Sequence, residues 1–215
     1  MGAVDVVPLI PIRNISMAET VDLSRRVAKA LADRFALPVF LYEAAATDPT
    51  RANLADIREG GFEKMPEKLK IAAWKPDFGP DRVHPTAGVT AVGARKPLVA
   101  FNVNLNTDNI DIARKIARAV RFKDGGLRYC KAMGVSLTAR RQVQVSMNMT
   151  DVSQTALYRA FELIRAEAAR FGVTVAGSEI VGLVPMAALM DCAAYYLGLE
   201  NFSPMQILEM NLISE

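Results

Sequence analysis

Cysteine, histidine and tryptophan are nearly missing from this 215-residue chain: there are two, one and one of them. Cys130 and Cys192 lack the close spacing of a metal-ligand pair and have no histidine near them in sequence. They read as two small buried hydrophobes in a reducing compartment, and no metal is expected. A charge excess is lacking too, since 26 basic side chains oppose 23 acidic ones for a net charge of +3. A dedicated nucleic-acid binder concentrates basic charge on one face, so none is expected as a partner. The longest apolar run, over 181–197, is interrupted by Pro185 and Asp191 and falls short of the about 20 residues a membrane span needs. Asp5 and Pro8 follow Met1 where a secretory leader would carry a basic and then an apolar stretch. These absences together predict a cytoplasmic protein with no membrane partner.

What is present suits a folded chain of one large or two small domains, with 51% hydrophobic residues to fill cores. Residues 4–12 are almost continuously apolar, as in a strand covered on both faces, but Pro8 and Pro11 confine it to an edge or a bulge. Ser16 and Glu19 have capping-box spacing and predict a helix to about Phe35, with Leu23, Val27, Leu31 and Phe35 as its buried stripe. A short strand follows Pro38, and a charged helical region spans about 53–71. Further on, the pattern predicts a strand over 98–105 and a helix over 109–120 with Ile112, Ile116 and Val120 on one face. A hairpin bending at Arg140-Arg141 comes next, then a helix capped at Asp151, a strand over 173–184 and a helix over 186–197. The order strand–helix–strand–strand–helix–strand is that of an α+β, ferredoxin-like split βαβ unit. The first part of the chain offers too few strands to complete such a unit, so the fold class expected is two ferredoxin-like subdomains, the first incomplete and the second complete.

Residues 74–105 are the least generic stretch. Pro76, Pro80 and Pro85 remove donors and fix φ, while Gly79, Gly88 and Gly93 permit φ values other residues avoid. Such a loop is shaped rather than floppy, and shaped loops carry binding sites. The strand after it alternates: Phe101, Val103 and Leu105 point one way, and Asn102, Asn104 and Asn106 the other. A row of amides beside a stiff loop makes a floor for a polar ligand. Ser136, Thr138, Gln142, Gln144, Ser146 and Asn148 are expected to continue that polar face, and a solvated face explains the row as well as a cleft does.

Three motifs carry a resemblance. Met1-Gly2-Ala3-Val4-Asp5-Val6-Val7-Pro8-Leu9-Ile10-Pro11, the run from Trp74 to Leu105 with Gly93-Ala94-Arg95-Lys96 inside it, and Val181-Gly182-Leu183-Val184-Pro185 together resemble the formiminotransferase module of the glutamate formimidoyltransferases, folate enzymes of histidine breakdown. The likeness spans nearly the whole chain. It implies an N-terminal subdomain over 1–95 and a C-terminal one over 96–215. It also implies a transferase that moves the formimino group from N-formimino-L-glutamate to tetrahydrofolate, and a homodimer. Folate contact falls on Gly79-Pro80-Asp81-Arg82-Val83-His84-Pro85-Thr86-Ala87-Gly88, whose Asp81 and Arg82 depart from the family's pattern. In the family the Met-Gly-Ala motif is internal and the catalytic histidine lies just ahead of it. No catalytic residue is therefore assigned to this chain, and little turnover is expected of it alone. The alternative is a non-catalytic, folate-binding or dimerising remnant.

Other residues have two readings each. His84 is a loop histidine without a role, a ligand contact, or a substitute base. Trp74 and Phe78 stack on a flat ligand or pack a core. Arg95 and Lys96 meet a glutamate carboxylate through paired donors or are surface charges. An RNA-reading sheet would carry stacking aromatics on its central strands, where this hairpin has serines, threonine and glutamines.

Overall fold

The computed structural model describes residues 1–213, and the chain divides into two compact units, Met1–Lys96 and Pro97–Glu215. The first unit holds three parallel strands, β1 (Val6–Leu9), β2 (Val39–Glu43) and β3 (Thr90–Ala94), in the order β1-β3-β2. Parallel neighbours need long crossovers. Helix α1 (Met17–Phe35) supplies the first. The second runs from 44 to 89 through the short helices α2 (Leu54–Arg58) and α3 (Met65–Lys68).

Two expectations fail here. The sequence pattern places 90–94 in the proline- and glycine-rich loop, yet all five residues of β3 are buried. It is the central strand, covered on both faces, so it shows no alternation. Its Gly93 lacks a side chain because the Tyr42 ring lies there, with Cδ1 2.6 Å from where a Cβ would stand. The unit therefore has three strands, one more than expected. Pro8 does sit on an edge, since β1 pairs only with β3 and its missing N–H breaks no ladder.

The stripe of α1 is also different. Ser16 and Glu19 form the capping box as expected. The buried ridge, however, is Thr20, Ser24, Ala28 and Ala32, while Leu23 and Phe35 are exposed. Small residues four apart let the helix axis approach the sheet, and Val27 and Leu31 then flank the contact. On the other sheet face Phe40, Tyr42, Ile57, Met65, Leu69, Val89 and Ala91 form a separate core.

One buried ion pair ties the second crossover to β2. Arg51 donates to Asp77 (3.1 and 3.3 Å), to the Lys75 carbonyl (2.7 Å) and to the Thr47 hydroxyl (2.9 Å). Asp77 in turn accepts from the Leu41 N–H (2.8 Å) and from Thr47. Both charged side chains are less than a tenth exposed. Removing one partner strands the other charge out of water.

The second unit is one antiparallel sheet, β4 (Val99–Leu105), β5 (Cys130–Leu137), β6 (Gln142–Met149) and β7 (Val175–Val181), in the order β5-β6-β4-β7. Helices α4 (Ile110–Val120) and α5 (Leu157–Arg170) pack on the face formed by Phe101, Val103, Leu105, Val143, Val145 and Met147. Cys130 sits in this core, where burial pushes its thiol up to about 12. Helices α6 (Met186–Leu197) and α7 (Leu208–Ile213) follow. The expected cap at Asp151 is instead a turn: its carboxylate accepts from the Ser153 N–H (3.1 Å), and α5 starts at Leu157. Both units together are mixed α and β with two separate sheets, consistent with the α+β class. Among the described residues no helix is long and apolar enough to cross a membrane.

Arg51→Met should destabilise the first unit by about 3–5 kcal/mol, the cost of an unpaired buried carboxylate. Chemical unfolding measures it, and a loss under about 1 kcal/mol would mean the pair does not hold the crossover.

Candidate functional site

The loop 79–88 is held by its own backbone. His84 and Gly88 exchange two hydrogen bonds, N–H to carbonyl at 3.1 and 3.0 Å, which close a five-residue turn. The Ala87 carbonyl accepts from the Ala3 N–H (2.9 Å), and Gly2 forms an antiparallel bridge with Gly88. At the other end Val39 donates to the Phe78 carbonyl (2.9 Å). The loop is thus stitched to the start of β1 on one side and of β2 on the other.

Its two glycines are explained by that stitching. Gly88 has φ +72°, and a Cβ there would stand 2.4 Å from the Met1 carbonyl oxygen and 2.6 Å from the Gly2 Cα. Gly79 has φ +84°, and its Cβ would stand 2.2 Å from the Leu37 carbonyl oxygen. Each glycine admits another stretch of this same chain, and each adopts the left-handed φ expected of it from the sequence. What the loop offers outward is the exposed Asp81, Arg82, Pro85 and Thr86, with Pro80, Val83, His84 and Ala87 half-buried.

His84 is a donor in this setting. Its Nδ1 accepts from the Ala87 N–H (3.0 Å) and the Thr86 N–H (3.3 Å). Two donors aimed at one ring nitrogen require its lone pair, so the proton sits on Nε2. Nε2 is then the donor nitrogen, and the Nδ1 lone pair is taken up by the two backbone N–H groups. Trp74 and Phe78 are spent on packing. Trp74 meets Phe40 edge-on at 6.4 Å and carries the Lys68 ammonium 3.8 Å from its ring centre, while Phe78 packs on the α1 side of the sheet. Arg95 lies half-buried beside the Tyr42 hydroxyl; burial raises that hydroxyl's pKa, and Arg95 opposes the rise. Lys96 is exposed.

On the second unit the amide row turns inward. Asn102 and Asn104 are each 8% exposed and Gln144 is 5% exposed, whereas Asn106 lies open. Buried amides must be hydrogen-bonded. Gln144 Nε2 donates to Asn104 Oδ1 (2.8 Å) and to Glu179 Oε1 (2.7 Å), and Asn102 Nδ2 donates to the same Glu179 oxygen (3.2 Å). Among the described residues Asn102 Oδ1 is buried without a donor. Gln142, Gln144, Ser146 and Asn148 lie on this face as expected, but Ser136 does not: it stands opposite Val143, on the helix side. Strand β5 puts Met133, Val135 and Leu137 there instead, opposite Ser146, Gln144 and Gln142. The rim of the face holds a cavity of about 320 Å³ lined by Ser136, Leu137, Thr138, Ala139, Arg140 and Glu179. Sequence reading missed Glu179, because only the β4–β7 register puts it opposite Asn102. Among the described residues no three His, Cys, Asp or Glu side chains cluster to hold a metal.

Comparison with known proteins adds a family to this geometry. The profile described as "Formiminotransferase domain, N-terminal subdomain" matches residues 1–95, and that described as "Formiminotransferase domain" matches 100–213. The chain is similar to the glutamate formimidoyltransferase of Streptococcus pyogenes serotype M1, 56% identical over 99% of the chain and 72% of the relative. The protein of that name from Thermoplasma acidophilum is 47% identical over 98% of the chain and 70% of the relative. The formimidoyltransferase-cyclodeaminase of Mus musculus is 44% identical over 94% of the chain, which covers 38% of that longer protein.

Two measurements check the loop. Gly88→Ala should lower stability by at least about 2 kcal/mol with no ligand present, because a left-handed φ and a backbone clash are both imposed; a neutral result would contradict the stitching. Ring ¹⁵N shifts of His84 should show the proton on Nε2, and a proton on Nδ1 would remove the donor assignment.

Proposed function

The chain belongs to the formiminotransferase family, and from that premise we propose that it serves transfer of the formimino group from N-formimino-L-glutamate to N5 of tetrahydrofolate, within histidine breakdown. The match to proteins named glutamate formimidoyltransferase, over 99% and 98% of this chain and 72% and 70% of theirs, carries this reading. Residues 1–95 and 96–215 are then the two subdomains. The second has the strand order and antiparallel pairing that suit a ferredoxin-like split βαβ.

Formimino transfer is attack by a weakly basic amine on an amidine carbon through a tetrahedral intermediate. It needs both substrates held in line and donors placed beforehand. For folate we assign the loop 79–88. Its closed backbone fixes His84 Nε2–H as a donor, with the Thr86 hydroxyl engaged by His84 Nδ1 (3.4 Å), and the half-buried Val83 and Pro80 give apolar surface beside the ring. A pterin ring presents several acceptor nitrogens and an oxygen, which this donor suits. The glycines shape the loop without touching the ring, so recognition falls on side chains and not on close backbone approach. Tetrahydrofolate enters as a co-substrate, consumed and released.

Calorimetry with 5-formyltetrahydrofolate and with N-formimino-L-glutamate tests the reading. Each should bind the purified chain saturably at one site, and His84→Phe should weaken the folate about three- to tenfold, the worth of one neutral hydrogen bond. Failure of both compounds to bind would overturn the proposal; folate binding indifferent to His84→Phe would overturn the loop assignment.

A further inference from the structure

Glu179 on β7 has one carboxylate oxygen committed and one open. Its Oε1 takes both amide donors, from Asn102 and Gln144, while Oε2 accepts no hydrogen bond among the described residues. Those donors come from side chains that are themselves more than nine-tenths buried, so the exposed carboxylate is fixed from beneath and does not swing freely. The same hydrogen bonds, with a smaller pull from the charge of Arg140, hold its pKa below the usual carboxylate range and keep it anionic at neutral pH. The network is also short of donors, since the buried Asn102 Oδ1 has none.

Arg140 faces the same space. It ends the single 3₁₀ turn Thr138–Arg140 between β5 and β6, is exposed, and makes no ion pair within 4.0 Å among the described residues. A cavity of about 320 Å³ therefore has a fixed anion and a cation on its lining that feel each other's charge without forming an ion pair among the described residues. That is a complement for a small zwitterion. An N-formimino amino acid is one: its amidine is protonated at neutral pH, carries N–H donors, and is attached to the carbon that bears the α-carboxylate. The pterin edge also offers an N–C–N donor pair, but it is uncharged and has no adjacent carboxylate for Arg140. The charge pattern favours the amino acid.

We propose that Glu179 and Arg140 form the subsite for the formimino donor, Glu179 Oε2 accepting from the cationic formimino N–H groups and Arg140 donating to the α-carboxylate. This rests on the formimino-transfer reading and adds the residues that select its donor substrate. Glu179 is the specificity determinant, because only the formimino group carries the cation it reads, whereas Arg140 recognises a feature shared by every N-substituted amino acid.

The test is calorimetry on the full chain with N-formimino-L-glutamate and N-formyl-L-glutamate, which replaces the cationic amidine with a neutral amide of the same shape. Wild type should prefer the formimino compound at least about tenfold, the worth of a hydrogen bond to a charged group. Glu179→Gln should abolish that preference and leave affinity for the formyl compound within about twofold. Arg140→Met, on an exposed turn, should weaken both compounds alike, and neither variant should alter affinity for 5-formyltetrahydrofolate. A preference that survives Glu179→Gln overturns the Glu179 assignment, and unchanged affinities in Arg140→Met overturn the Arg140 assignment. Loss of folate binding alone in Glu179→Gln would show that the carboxylate reads the pterin edge instead. If wild type binds the folate and both amino acids yet the variants change nothing, only this inference falls. If wild type binds neither the folate nor the formimino compound, the formimino-transfer reading falls with it.

Discussion

Three amide side chains on the second sheet, Asn102, Asn104 and Gln144, are taken out of water and have to find partners within the protein. An unpaired buried amide costs more than its hydrogen bond returns when made, so their placement is not free. Gln144 donates to Asn104, and Gln144 and Asn102 both donate to a single oxygen of Glu179. That requirement fixes one carboxylate oxygen and leaves the second without a donor among the described residues. The register of three strands serves it: β4 supplies the asparagines, β6 the glutamine and β7 the acid. Slipping any of these strands by one residue would turn its polar groups into the helix-packed core. The strand register and the placement of the Glu179 carboxylate have one physical origin here.

The same constraint shapes the first unit by other means. Its long crossover carries little regular structure of its own, and its anchor to the sheet is a buried guanidinium–carboxylate pair whose hydrogen bonds also satisfy the Leu41 N–H and the Lys75 carbonyl. Among the described residues Arg51 Nε has no acceptor, which marks how fully the pair is enclosed. Downstream of that anchor the loop 79–88 is closed by backbone contacts at Gly79 and Gly88. Ion pair and glycine contacts together hold His84 with its Nδ1 already accepting from the Thr86 and Ala87 N–H groups.

Much of this was legible from residue pattern. Strand β4, helix α4 and the hairpin could be read because alternation and helical spacing are unbroken there, and the capping box at Ser16 marked the start of α1 correctly. Strand β3 was hidden because a short, fully buried parallel strand of small residues has no period and contains a glycine. The ridge of α1 was misplaced because close packing on a sheet selects Ser24, Ala28 and Ala32 over the larger Leu23 and Phe35. The shaped loop was visible as a run of proline and glycine, but the purpose of each glycine was not, since Met1, Gly2 and Leu37 are far from it in sequence. Glu179 could not be found at all without strand pairing. No local motif surrounds it.

Mapping of amide signals on titration with both ligands tests the assignment of the two surfaces most directly. The account predicts that 5-formyltetrahydrofolate shifts the backbone amides of Val83, His84, Thr86 and Ala87. N-formimino-L-glutamate should instead shift the side-chain NH₂ signals of Asn102 and Gln144 and the backbone amides of Arg140 and Glu179. The opposite would be shifts from either ligand that leave these groups unmoved and gather around Tyr158 and Tyr195, whose stacked rings line a separate cavity at the start of α5. That outcome would contradict the assignment of both surfaces.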